Sequence, residues 1–587
     1  MAQTKSLDLE NSSSQHAAIA DASQTGLDTG SGDMTLEISF KPESHVDQNL
    51  MGKWNSAGNQ RSFIWQYSAS TGLYFAVSSN GSSATDGSVA VTLASNRWYR
   101  LAVAYDASAG TAEMYVNGVS IGTISSLATS IFDSTAPFEI GHFTSSGTYC
   151  DGKLKDARFW NDLRTDQEIL DNYDVVLTGA ESGLVSLWLL ENDYTDSAGS
   201  NDLTASGAPS FVSDVPFFPA DFGSTAKITI DNTKVVGSGN FTDIPILFAD
   251  DNFIADIYAN TQSAGQDLRF TTDLEGRVLI PHEIVDWDTV AEEAEVWVKI
   301  PTLDYNDDTV IYVWYNNATV PAVLSTDYYG SKNVWPTEFK AVYHLNTDFS
   351  DSTVNANTMT GSNSPTFAAG KIKSGADFEL SSSQSASIAD GSQTGLDITG
   401  DLTILAWSKF ESRSNARQGL VSKWDDAQRA YGLSVTPTNI QLHINNGTEF
   451  EPSNALSTTN GVWTHLGVTY DTGTTTGKFF QDGSQLGTDK TGGIASISNT
   501  SASFRLSYIT EAWYNDGMLD EVWVTADEKS EDFVATVYNN QSDPSTFATG
   551  SAISNSAIKT INGLAKASVK VVNTLAIASV KTWNGLA

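Results

Sequence analysis

Cysteine is all but missing from this chain: Cys150 is the only one in 587 residues. An intrachain disulfide framework and a multi-cysteine zinc site are therefore excluded, and Cys150 itself is expected to serve as a small buried hydrophobe. Proline is scarce, at 14, and so is positive charge, with 32 Lys and Arg against 70 Asp and Glu. The formal charge of −38 makes phosphate contacts repulsive, which argues against nucleic acid or an anionic membrane surface as a partner. The acidity favours solubility and suits a salty, divalent-rich medium, where screening relieves self-repulsion. No run of about 18 apolar residues occurs, so no membrane insertion by a helix is expected. The start, MAQTKSLDLENSSSQ, has no basic stretch followed by an apolar one, and no secretory signal is recognised in it.

What the chain does have is 45 Gly, 15 Trp and 20 Tyr amid abundant Ser and Thr, the composition of many short strands joined by tight turns. The length exceeds what one core serves and implies about three to five domains. Self-similarity at long offset divides it further. LDLENSSSQHAAIADASQTGLD, from Leu7 to Asp28, recurs as FELSSSQSASIADGSQTGLD, from Phe378 to Asp397. GKWN at Gly52 recurs as SKWD at Ser422, and the block from Arg97 to Thr123 answers Val462 to Thr488. Finally, Phe138 to Trp160 answers Phe504 to Val524. Such an offset is that of a duplicated domain rather than a solenoid. Within the blocks apolar and polar residues alternate, as in Leu101, Val103 and Tyr105, and Asn117-Gly118 signals a hairpin.

A segment opening on Trp, a strand reading V-x-Y-D, a strand ending in N-G or D-G and a closing D-G-x-L-x-[DE]-[AV] segment together resemble the laminin-G-like branch of the concanavalin A-like jelly roll. The expected fold is all-β: two such jelly rolls, at 1–215 and 335–548, flank a smaller β-sandwich at 222–330, with a repetitive tail at 553–587. The unit from Leu184 to Phe211 resembles that from Ala341 to Phe367, yet follows the first jelly roll and precedes the second. The copies thus read as circular permutants in which this unit completes the same sheet, which is feasible where domain termini lie close together.

Residues 222–330 read as separate strands, including IPILF, AEVWVKIP and VIYVWYNN. The run from Asp267 to Asn317 resembles a family of unknown function found beside laminin-G-like domains, which implies no activity. The tail carries AIKTINGLAKA, SVKVVNTLAIA and SVKTWNGLA, units with a period of about 11 that resemble repeats ending bacteriophage structural proteins. Short strands and tight turns are expected there. Since so few units cannot bury a core, they imply pairing with other copies or other virion proteins, hence a homo-oligomer.

No strand carries the paired carboxylates of a jelly-roll glycosidase. The nearest sets are Asp520 with Glu521, and Glu292, Glu293 and Glu295; the first has the wrong spacing and the second reads as a solvated strand start. The seven His show no metal-ligand spacing, and neither a nucleophile elbow nor a phosphate loop is present. No catalytic residue is assigned. The resemblance implies calcium as the sole candidate cofactor, with loop carboxylates Asp193, Asp196, Asp348 and Asp351 as ligands; turn formation is the competing role for these. For carbohydrate, aromatic platforms near loops are required, and Trp54, Trp65, Tyr67, Trp424, Trp513 and Tyr514 are the candidates. Trp98, Trp160, Trp463 and Trp523 are expected in the core. The function so indicated is that of a non-enzymatic virion appendage or decoration protein, at a phage fibre, head or tail surface, binding host or environmental glycans. An exported cell-surface adhesin and a polysaccharide-degrading enzyme are the alternatives.

Overall fold

The structure is a computed structural model that describes residues 4–413, 417–445, 449–510 and 513–553, with the backbone alone at 448, 560–561, 564–565, 571–572 and 575–576. Three β-sandwiches follow one another along the chain. In the first, one sheet runs in the order Val119–Ile124, Thr111–Val116, Tyr99–Asp106, Met34–Pro42, Gly152–Trp160, Ser6–Leu9, Ser210–Val212. Its partner runs Thr204–Ser206, His16–Ile19, Phe138–Ile140, Gln48–Asn55, Gln60–Ser68, Gly72–Val77, Thr85–Val89. Alternating residues such as Leu36, Ile38 and Phe40 on one sheet and Phe63, Trp65 and Tyr67 on the other meet between them as a single apolar core.

The second jelly roll repeats this order strand for strand, and its register confirms the permutation. Leu184–Trp188 pairs with Gly152–Trp160 in the first copy, Trp188 opposite Ala157. Phe339–Tyr343 pairs with Gly517–Thr525 in the second, Tyr343 opposite Val522. The following short strands also take matching edges: Thr204–Ser206 beside His16–Ile19 and Thr360–Ser362 beside Ser385–Ile388. The unit therefore completes the same two sheets whether it enters from the C-terminal or the N-terminal side.

The middle sandwich packs a three-stranded sheet (Phe241–Ala249, Glu293–Leu303, His282–Asp288) on a four-stranded one. The outer strand of the latter is Ala548–Ala552, which pairs with Ser224–Ile230 after the chain has traversed the whole second jelly roll. The helix Glu531–Ser542 leads back to it, burying Phe533, Val534 and Val537 in a core shared with Ile246, Trp297, Phe480 and Trp523. The middle sandwich and the second jelly roll are thus joined by a continuous apolar core. In the tail, Thr560–Ile561 pairs with Leu564–Ala565, and Val571–Val572 with Leu575–Ala576; the expected role of the repeats in assembly lies outside the described residues. No helix among the described residues is long and apolar enough to cross a membrane.

Candidate functional site

The aromatic candidates separate by the face of the strand on which they lie. Trp65 and Tyr67 are fully enclosed, at 0% exposure. They point into the core with Phe63 while Ile64 and Gln66 take the opposite face, so neither can act as a sugar platform. The Tyr67 hydroxyl accepts from the Leu93 amide at 3.1 Å and lies 3.0 Å from His45 Nδ1. Trp54 is half-buried against Ile64, Ala76 and Phe143, with the Arg61 guanidinium 5.8 Å from its ring.

On the equivalent outer face of the second jelly roll the candidates come together. Trp513, half-buried, lies with its ring centre 5.8 Å from that of His443 and only 4.3 Å from the Arg417 guanidinium carbon. Trp424 flanks His443 at 5.7 Å but is itself buried, so it braces the patch rather than presenting a face. Arg417 donates to Glu449 at 2.9 Å, and Gln441 donates to the same carboxylate at 2.7 Å. His443 lies 2.8 Å from the Ser434 hydroxyl, and burial pushes its pKa down to about 3, which keeps the ring neutral. Tyr514, half-buried, stands edge-on to Tyr508 at 5.0 Å. The result is an aromatic surface ringed by a guanidinium, an amide and a carboxylate.

The four loop aspartates serve turns and a clasp. Asp196 accepts from the amides of Leu187, Ala198 and Asn201. Asp351 accepts from the amides of Val342, Thr353 and Asn357 and from the Thr353 hydroxyl. Asn201 and Asn357 then lock the permuted unit onto each jelly roll by exchanging hydrogen bonds with the backbone of Thr25 and Thr394 respectively, at 2.7 and 2.9 Å in both copies. Asp193 and Asp348 each accept from the amide two residues on, an Asx turn. Each of the four thus has a turn-forming or backbone-binding role, and none of them belongs to a convergent group of possible metal donors among the described residues. The Asp and Asn of the clasp were visible as matching letters in the repeat, but their partners lie up to 176 residues away.

The acidic sets also change meaning. Glu295 of the middle sandwich and Glu521 of the second jelly roll meet at a buried His344, whose Nδ1 lies 3.4 and 2.7 Å from them. Burial would lower the His344 pKa, but Glu521 and Glu283 raise it well above its ordinary value. Burial pushes Glu295 up to about 8, against the pull of His344 and with the help of Glu521. Trp297, Trp335 and Trp523 enclose the group, which is an interdomain seam and not a cleft. Trp160 and Trp523 are core residues as expected. Trp463 and Trp98 are only half-buried; Trp98 lines a cleft between the first jelly roll and the middle sandwich with Asp214, Phe217, Arg277 and Tyr329. That cleft joins residues remote in sequence and leaves no local pattern by which to find it.

A family model described as the concanavalin A-like lectin/glucanases superfamily matches residues 11–170 and 380–535, more than half of the chain. A domain of unknown function matches residues 264–358. No curated protein matches. Among solved structures, a Bacteroides ovatus protein classed provisionally as carbohydrate-binding is 21% identical over 37% of this chain, with a TM-score of 0.30; the match spans 62% of that protein. Domain 4 of an extracellular arabinanase from Geobacillus stearothermophilus, in complex with arabinotriose, is 18% identical over 34% of this chain and 98% of its own, with a TM-score of 0.29. A sialidase-derived module of Ruminococcus gnavus bound to sialyllactose is 17% identical over 29% and 97%, at 0.24.

Proposed function

The chain belongs to the concanavalin A-like lectin/glucanases superfamily, and from that membership we propose that it is a non-enzymatic glycan-binding protein whose second jelly roll engages sugar around Trp513. The carrying observation is the partly accessible Trp513 ring with Arg417 at 4.3 Å and Glu449 and Gln441 at its border. A sugar ring stacks its C–H face on such an indole while its hydroxyls exchange hydrogen bonds with the groups around it. The binding reading is further supported by the fate of Glu295, Asp520 and Glu521. A glycosidase needs two carboxylates about 5–9.5 Å apart across an accessible cleft, and these three are buried.

Placement at a virion surface, as a fibre or a head or tail decoration, rests on the tail repeats and their resemblance to the ends of phage structural proteins. Several copies held together by that tail would turn weak single-site affinity into firm attachment.

The test is electrophoresis of the full chain through gels cast with bacterial and algal polysaccharides, beside a glycan array. Retardation by at least one polysaccharide is expected, with Trp513→Ala weakening it by about tenfold or more, the loss of one stacked ring. Absence of retardation throughout, or retardation indifferent to Trp513→Ala, overturns the site. Release of reducing sugar overturns the non-enzymatic reading.

A further inference from the structure

The two jelly rolls carry different chemistry at one equivalent place. In the first, His16 on His16–Ile19, Glu139 on Phe138–Ile140 and His142 just beyond bring one donor atom each to within 4.8 Å of one another. Glu139 Oε1 is the hub, 3.1 Å from His142 Nδ1 and 3.7 Å from His16 Nε2. The same positions of the second copy hold Ser385, Arg505 and Tyr508, since the blocks NSSSQHAAIAD and FEIGHF align with LSSSQSASIAD and FRLSYI.

Each imidazole has a backbone carbonyl beside one nitrogen and Glu139 beside the other. His142 Nε2 faces the Ser146 carbonyl at 3.2 Å, and His16 Nδ1 faces the Ser14 carbonyl at 3.4 Å. A carbonyl only accepts, so a hydrogen on each of these nitrogens suits the carbonyl it faces. The other nitrogen of each ring faces Glu139 Oε1, at 3.1 Å for His142 Nδ1 and 3.7 Å for His16 Nε2, where it carries a hydrogen for the carboxylate or offers a lone pair to a cation. Oε2 of that carboxylate is held by the amide of Thr144 at 2.6 Å and its hydroxyl at 3.0 Å, which leaves Oε1 directed at the two rings. Two imidazoles and a carboxylate thus converge, and a proton on an imidazole or a metal ion placed among them holds them together. Tyr149 stacks on His142 at 4.1 Å and 11°, holding the ring in place.

We propose that His16 Nε2, Glu139 Oε1 and His142 Nδ1 form a site for a divalent transition-metal ion of the zinc type on the first jelly roll. Tetrahedral zinc, with bonds of about 2.0–2.1 Å, keeps its donors about 3.3–3.4 Å apart, a small adjustment from 3.1 and 3.7 Å. A second ring N–H anchored on a carbonyl is the usual support of a metal-bound histidine. Two imidazoles and one carboxylate do not suit calcium, which takes six to eight oxygens. Because His16 keeps 17% of its side chain exposed, the fourth position opens to solvent and accepts water or an oxygen of a bound ligand. The second copy has no such site, since the Arg505 guanidinium supplies a fixed positive charge there and donates to the Trp424 carbonyl at 3.0 Å.

The experiment uses the untagged full chain, stripped with chelator and titrated with Zn2+, with Co2+ as the spectroscopic probe. The variants His16→Ser, Glu139→Arg and His142→Tyr each import the residue that the second copy already folds with, and circular dichroism checks that each is folded. Tight uptake of one ion per chain is expected, with the d–d bands of tetrahedral Co2+, and each variant weakens it by about 100-fold or more, beyond the 10–100-fold typical of lost outer-shell partners. No stoichiometric uptake by the wild type, or uptake that survives His142→Tyr in folded protein, overturns the proposal. Loss of glycan binding with metal uptake intact, or the reverse, shows that the two sites stand or fall separately.

Discussion

Asp351 gathers the amides of Val342, Thr353 and Asn357 and the Thr353 hydroxyl on one carboxylate. Removing it leaves several buried donors unmatched, each costing about 1–3 kcal/mol. Asp351→Ala is therefore expected to destabilise the second jelly roll by about 3 kcal/mol or more. Thermal unfolding with and without chelator checks this, an equal shift in both being the outcome if the carboxylate serves the backbone rather than calcium. A second expectation concerns the seam at His344. Its raised pKa contributes stability that is complete below its ordinary 6.5 and lost as pH climbs through the raised value. Glu295, raised from 4.5 to about 8, acts in the same direction: its contribution is present below 4.5 and lost between there and about 8. Melting temperatures should fall from pH 5 to pH 9, and Glu295→Gln should flatten that slope. A melting temperature that rises with pH would contradict the seam. At this scale the sequence disclosed residue types but not faces. Trp65 and Ile64 are one position apart, and a strand's period of two sends one to the core and the other outward.

Among elements, Ala548–Ala552 decides the most. It closes the four-stranded sheet of the middle sandwich, and Asn252 fastens it by donating to the Pro544 and Ala548 carbonyls at 2.8 and 2.7 Å. Gly550 lies so close to Asn252 that an added Cβ would stand 2.3 Å from its carbonyl oxygen. Truncation after residue 553 should leave the melting of the middle sandwich unchanged, whereas truncation after residue 546 should unfold it or lower its melting temperature markedly; amide exchange of Ser224–Ile230 reads the difference directly. Gly550→Val should act in the same direction. The strands of the duplicated blocks were legible because alternation and hairpin signals are local, and the permuted unit because its letters repeat. This strand was not, since ATGSA has no strong pattern and takes its conformation from a partner more than 300 residues away.

At the scale of the molecule, the middle sandwich and the second jelly roll share one core through Trp297, Trp335, Phe339 and Trp523. The first jelly roll meets the middle region through polar and aromatic contacts, with Lys41, also paired with Asp214 of its own jelly roll at 2.6 Å, bound to Asp327, and Arg97 4.8 Å from the Tyr328 ring. If the tail assembles the chain, light-scattering mass should show a defined oligomer for the full chain and a monomer for one ending at 553; equal monomeric masses would refute self-assembly through the tail. The cut belongs at 553 because an earlier one removes part of the closing strand and would confound assembly with unfolding.

By itself the sequence determined the all-β class, the duplication, the permuted unit and the family resemblance, because these rest on period, turn chemistry and repetition along the chain. Only the tertiary structure decided that two acidic sets meet at a buried histidine, that four aspartates fasten turns, and that two histidines and a glutamate converge in one copy and not the other. Those outcomes depend on strands paired across the sheet, whose neighbours in space are distant in sequence, and on which side of each strand a residue falls.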